Sequence, residues 1–159
     1  MTYTIVVGID GSKHSEAALR WALTEAAVKQ GEVTAVFAWQ VPFLSFPGAF
    51  DRGELEQAAK DFLIEAVSVV ASPPVPLRPL VAEGDPAEAL VVASKGADQL
   101  VVGTRGRSPF MGAMLGAVSI RCAAAASCPV TLVKLPGEAP QGLPPEGDSL
   151  ASSADLPSA

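Results

Sequence analysis

Five short, near-continuously apolar runs alternate with segments of helical periodicity, and this alternation constrains the fold more than any other feature of the chain. The runs occupy 4–9, 33–40, 77–82, the stretch ending Leu100-Val101-Val102, and 128–134. A strand with one face in water alternates apolar and polar residues, whereas near-continuous apolar strands have both faces covered, as in parallel sheets. Between the runs, Leu19, Ala22, Leu23, Ala26 and Ala27 recur at helical spacing behind Ser12 as N-cap, with Gly31 ending the helix. After an irregular, aromatic-rich stretch, Leu55, Ala58, Ala59, Phe62, Ala66, Val69 and Val70 share one helical face, which stops at Pro73-Pro74. Asp85-Pro86-Ala87-Glu88 is a capping box with proline at the first helical position. We therefore expect one α/β domain, a mostly parallel sheet with helices on both faces. Ligands of such sheets bind outside the carboxyl ends of the strands, where the strand order reverses.

Two of those ends carry glycine turns. The first strand runs into Gly8-Ile9-Asp10-Gly11-Ser12, and the fourth into Gly103-Thr104-Arg105-Gly106-Arg107. A residue without a Cβ lets ligand oxygens approach backbone amides. Further on, Gly116-Ala117-Val118-Ser119 opens a helix whose first amides have no intrahelical acceptor, at the positive end of its dipole. Arg105 and Arg107 can add charge-assisted hydrogen bonds, so this region is expected to hold phosphate. It is not a P-loop, because no glycine precedes Lys-Ser or Lys-Thr in that frame, and the first turn lacks the dinucleotide fingerprint G-x-G-x-x-G.

The remaining pattern, G-x2-G-x9-G after a late strand and G-x-D-G-S after the first, resembles the ATP-binding branch of the universal stress protein family. The likeness extends over nearly all of the chain before Pro136. It takes in 6–15 as the opening strand and turn, Glu83-Gly84-Asp85-Pro86-Ala87-Glu88-Ala89-Leu90 as the third helix entry, 97–116 as the phosphate loop and Cys128-Pro129-Val130 as the final strand. It implies an open five-stranded sheet in the order 3-2-1-4-5, adenine nucleotide α-hydrolase-like. ATP with Mg²⁺ would then be contacted by Gly8, Ile9, Asp10, Ala38, Gly103, Arg105, Gly106, Arg107, Gly116, Ala117, Val118 and Ser119. Asp10 would accept a ribose hydroxyl or hold Mg²⁺ through water, unless it only bonds the amides near Ser12. Ala38 would meet the adenine through backbone groups. One departure stands out: the family usually has Ser or Thr where this chain has Ala117. A lost hydroxyl–phosphate bond is worth about 1 to 2 kcal/mol, roughly a decade in affinity. The amides of Gly116, Ala117 and Val118 are expected to remain available, with Ser119 one residue further on.

At 159 residues and 49% hydrophobic the chain suits one globular domain, without an internal repeat. No apolar stretch approaches the roughly 18 residues of a membrane span. The first five residues carry no basic region, so we expect no secretory signal and a cytoplasmic protein. Cys122 and Cys128 are too far apart for a C-x-x-C pair, and a single histidine leaves no metal cluster to build; both thiols are expected in the core. The net charge of −6 argues against a nucleic-acid partner. From Pro136 half of the residues are Pro, Gly or Ser, and this tail (136–159, behind a domain of 1–135) is expected to be disordered. It holds four of the 17 acidic residues and none of the 11 basic ones, leaving 13 acidic against 11 basic, net −2, before it.

No nucleophile–base pair can be assembled, so we expect a nucleotide-binding stress sensor rather than an enzyme, with slow ATP hydrolysis at most. Two alternatives stay open. One is an interaction protein whose pocket has weakened or been lost, with Ala117 as the sign of it. The other is an α-hydrolase-type enzyme, which would need S-G-G-x-D-S where this chain has G-I-D-G-S. His14 is expected at the surface. Phe43, Phe46 and Phe50, with Pro42 and Pro47, either lid the adenine pocket or cover the second long helix. The last strand, 129–134, should lie at a sheet edge and pair with a second copy in an isologous homodimer, as the resemblance also implies.

Overall fold

The computed structural model describes residues 1–42, 46, 48–70, 74–107 and 115–138. Nine elements alternate along them: β1 (Thr4–Gly8), α1 (Lys13–Lys29), β2 (Glu32–Trp39), α2 (Arg52–Ser68), β3 (Leu77–Glu83), α3 (Pro86–Ala93), β4 (Gln99–Gly103), α4 (Ala117–Ala125) and β5 (Val130–Val133). The strands form one parallel sheet in the order β3-β2-β1-β4-β5. The chain leaves β1 toward β2 on one side and reaches β4 on the other, so the order reverses at the carboxyl ends of β1 and β4.

Continuous apolar strands are explained by the two cores they separate. Ile5, Val7, Val33, Ala35 and Val101 point to one face, where Leu19, Ala22, Leu23 and Ala26 of α1 and Leu63 of α2 meet them. Val6, Val36, Leu100 and Val102 point to the other, against Ala87 and Leu90 of α3 and Cys122 of α4. Each fully buried leucine contributes about 1.5 to 3 kcal/mol relative to exposure. Leu19, Leu23 and Leu63 are all in that class.

Several local expectations are corrected. The helix before β2 is ended by Gln30, which adopts the left-handed conformation (φ 54°) and donates its N–H to Ala26 and Ala27. Gly31 has a different reason: a Cβ there would stand 2.3 Å from the carbonyl oxygen of Tyr3. On α2 the expected face holds at Ala59 and Val70, which are buried, and at the partly buried Leu55, Phe62 and Ala66, but Ala58 and Val69 are exposed, Leu63 joins the core, and the helix ends at Ser68, before the two prolines. On α1, Ala27 is exposed and Ala18 takes its place in the core. Of the expected tail, residues 136–138 are described: they form a turn in which the Glu138 N–H donates to Leu135 O at 3.2 Å. The rest of the expected tail, 139–159, lies outside the described residues.

Candidate functional site

At the end of β1, Asp10 builds its own turn and reaches beyond it. Its Oδ1 accepts the Ser12 N–H at 2.9 Å. Ser12 in turn caps α1 by accepting the Ser15 N–H at 3.1 Å, and the buried Ser15 hydroxyl accepts the N–H of Asp10 at 3.3 Å. The second carboxylate oxygen, Oδ2, accepts the N–H of Arg107 at 3.1 Å. One carboxylate thus ties the β1 turn to the loop after β4.

That loop explains its glycines through contacts within the protein. At Gly103 a Cβ would lie 2.7 Å from His14 Cβ and under 3 Å from the His14 backbone, so the missing side chain lets the first turn of α1 sit on the end of β4. At Gly106 a Cβ would lie 2.7 Å from Asp10 Oδ2. Neither glycine has a left-handed φ. Beside the expectation that these two positions leave room for ligand oxygens, they have a cause within the protein, close approach of α1 and of Asp10. Gly8 is similar, with Leu90 of α3 2.9 Å from where its Cβ would be.

Gly116 is the N-cap of α4 and carries no capping side chain. Its own N–H is not available, contrary to expectation, because it donates to Thr104 O at 2.7 Å and closes the loop. Ala117 and Val118 occupy the first helical positions, where amides lack intrahelical acceptors. Ser119 is also corrected as a substitute phosphate donor: its hydroxyl is buried and gives its single proton to Gly103 O at 2.7 Å, clamping α4 to β4.

All twelve residues singled out in the sequence line one cavity of about 250 Å³, at the strand-order reversal. Part of its lining is apolar. Val36 and Ala38 of β2, Val102 of β4 and Pro86 and Leu90 of α3 form it, and of these only Ala38 was singled out. A usable signal existed for Val102, which directly precedes the Gly103 turn; Val36, in mid-strand, and α3 carry no such mark. Phe46 and Phe50 are 83% and 48% exposed and do not line the cavity, while Phe43 and Pro47 lie outside the described residues.

The charge around the site is balanced from an unexpected side. His14 is not a free surface residue: its side chain is 12% exposed and its Nε2 lies 3.0 Å from Glu138 Oε1. The same Oε1 lies 3.5 Å from Arg105 Nη1. The hydrogen bond from His14, and more weakly the charge of Arg105, hold the Glu138 carboxyl below the usual carboxylate range. At the other rim, Asp85 caps α3 through the Glu88 N–H at 3.0 Å and pairs with Arg121 of α4 at 2.8 Å, which keeps its carboxyl ionised. No group of three or more potential metal-ligating side chains occurs among the described residues. Asp10 is the carboxylate in the cavity lining, and both its oxygens already accept backbone N–H groups.

Fold and site together define an α/β protein of the adenine nucleotide α-hydrolase-like type, with an amide- and arginine-lined pocket at its switch point. The family model described as "Universal stress protein family" matches residues 1–134. A universal stress protein of Mycobacterium tuberculosis is 37% identical over 133 residues, covering 82% of this chain and 45% of the relative. One from Thermus aquaticus is 35% identical over 143 residues, covering 84% of this chain and 100% of the relative. The chain belongs to the universal stress protein family. It spans less than half the length of the mycobacterial relatives it matches.

Among solved structures, a universal stress protein in complex with cAMP superposes with a TM-score of 0.62 at 27% identity, covering 82% of this chain and 96% of that one. The universal stress protein of Archaeoglobus fulgidus in complex with dAMP gives 0.63 at 21% identity, covering 84% and 98%. No helix among the described residues is long and apolar enough to cross a membrane.

Proposed function

We propose that this chain is a nucleotide-binding module of the stress response, holding an adenine nucleotide in the cavity between the ends of β1 and β4 and acting through ligand-dependent partner choice in the cytoplasm. The observation that carries this reading is the polarity of the cavity. Val36, Ala38, Leu90 and Val102 in its lining offer apolar surface to a base, and Arg105, Arg107 and the start of α4 in the same lining offer cations and helix-start amides to phosphate. A helix start without a capping side chain favours an anion there. The cAMP and dAMP complexes of the two neighbours support an adenine nucleotide as the ligand.

The nucleotide is proposed to bind without efficient turnover. Asp10 is already engaged with two backbone N–H groups and is badly placed to take a proton from water. Mg²⁺, if it enters, would ride on the ligand's phosphates and meet Asp10 through water, because a single carboxylate does not make a cation cage. Ala117 and the committed hydroxyl of Ser119 favour a second reading, in which terminal phosphates are held weakly and ATP is a poor ligand.

The test is direct. Purified protein is denatured, any released nucleotide is identified by mass spectrometry, and AMP, ADP and ATP are titrated calorimetrically. Binding of at least one adenine nucleotide is expected; a clean protein that binds none of the three overturns the reading.

A further inference from the structure

Resting on the nucleotide reading above, we infer that Glu138 is a specificity-determining residue that withholds Arg105 from the ligand and sets the site toward nucleotides with few phosphates.

Arg105 lines the cavity, and neither His14 nor Glu138 does. Its guanidinium Nη1 lies 3.5 Å from Glu138 Oε1, so a residue of the cavity lining is tied to a carboxylate outside that lining. Glu138 is fixed there by two further contacts, the His14 Nε2 at 3.0 Å and its own N–H on Leu135 O at 3.2 Å. Its side chain is 23% exposed and that of His14 is 12% exposed, so the pair is partly shielded from water. A carboxylate and a phosphate oxygen ask for the same thing from a guanidinium, charge-assisted hydrogen bonds in its plane. Glu138 is thus an internal anion in competition with the ligand's.

The competition falls unevenly on different nucleotides. A monophosphate carries less charge and reaches less far along the loop, so it can be held without recruiting Arg105. A triphosphate brings more charge and extends further, and needs Arg105 and Arg107 to neutralise it. One of these cations already faces a carboxylate at Nη1, so ATP competes with Glu138 for Arg105, whereas AMP does not. No hydroxyl at 117 compensates, and Ser119 has no proton to give.

The experiment compares full-length wild type with Glu138→Gln, which keeps the side chain's size and removes its charge, and with Glu138→Ala as a second variant. AMP and ATP are titrated calorimetrically without divalent cations, and folding is checked by thermal melting. We expect ATP to tighten by about tenfold in both variants, the effect of removing one competing ion pair, with AMP changed by less than about twofold. In an Arg105→Gln background the Glu138→Gln change should leave ATP affinity as it was, because there is no cation left to release. If ATP and AMP shift equally, or ATP does not shift while AMP binds normally, the inference is wrong and the nucleotide site stands. If no adenine nucleotide binds any variant, the nucleotide reading falls as well.

Discussion

The N–H of Arg107 donates to Asp10 Oδ2 at 3.1 Å, joining residues 97 positions apart and fixing the phosphate-loop candidate to the first turn of the sheet. Gly106 passes directly beneath that bond, with its absent Cβ 2.7 Å from the same oxygen. Gly106→Val should push the loop from Asp10 and weaken AMP and ATP by at least about tenfold. The melting temperature should move little, since Gly106 is exposed. The effect should be largely absent in an Asp10→Ala background, because contacting residues are non-additive. Calorimetric titration of the four proteins checks this; equal losses in both backgrounds would show that the valine acts elsewhere.

Ala117 occupies the first position of α4, beside the amides proposed to bind phosphate. Ala117→Ser supplies the hydroxyl that the family usually has there. ATP should tighten by roughly tenfold, the equivalent of about 1.4 kcal/mol, and AMP by much less. Equal gains for the two ligands would mean that residue 117 does not face the terminal phosphates.

Cys122 is fully buried between α4 and the sheet, and burial raises its thiol to about 11. A raised thiol pKa keeps the neutral form; at pH 8 about one molecule in a thousand carries the thiolate, the nucleophilic species. Native protein treated with a disulfide reagent at pH 8 should be labelled at Cys128, which is only partly buried, well before Cys122. Cys122 should react after denaturation. Peptide mapping that finds Cys122 labelled first in folded protein would contradict the packing described.

Among the described strands β5 pairs with β4 alone, which leaves its outer edge open. Pro129 and Val133 direct their carbonyls to β4, accepting the Leu100 and Thr104 N–H groups at 2.9 Å. By alternation, the backbone groups of Val130 and Leu132 point outward and can join a second copy. We propose a homodimer through this edge. Lysine at Leu132 or Val133 is a poor test, because Leu132 packs in one core and Val133 against the other. Hydrogen exchange is better: the Val130 and Leu132 amides should gain protection as concentration rises, while light scattering shifts from the 16.2 kDa monomer to twice that mass. A concentration-independent monomer with fast exchange at both amides would rule the dimer out.

What the sequence determined by itself was whatever depends on neighbours a few residues away or on a pattern repeated along an element. Continuous apolar runs imply strands covered on both faces, and Asp85-Pro86 implies a helix start, because both signals are local. The family resemblance carried by the glycine pattern implied twelve positions that the fold brings to one cavity. The tertiary structure decided why those positions are what they are. Gly103 is small because α1 crosses the end of β4, and Gly106 because Asp10 arrives from the first turn. Ser119 spends its proton on Gly103, and Gly116 its amide on Thr104, so groups that looked free are committed. Glu138, assigned from composition to a structureless tail, is held by His14 and Arg105. Each of these depends on segments far apart in the chain meeting at sub-ångström tolerances, and composition, periodicity and motif spacing carry no information about distances of that kind.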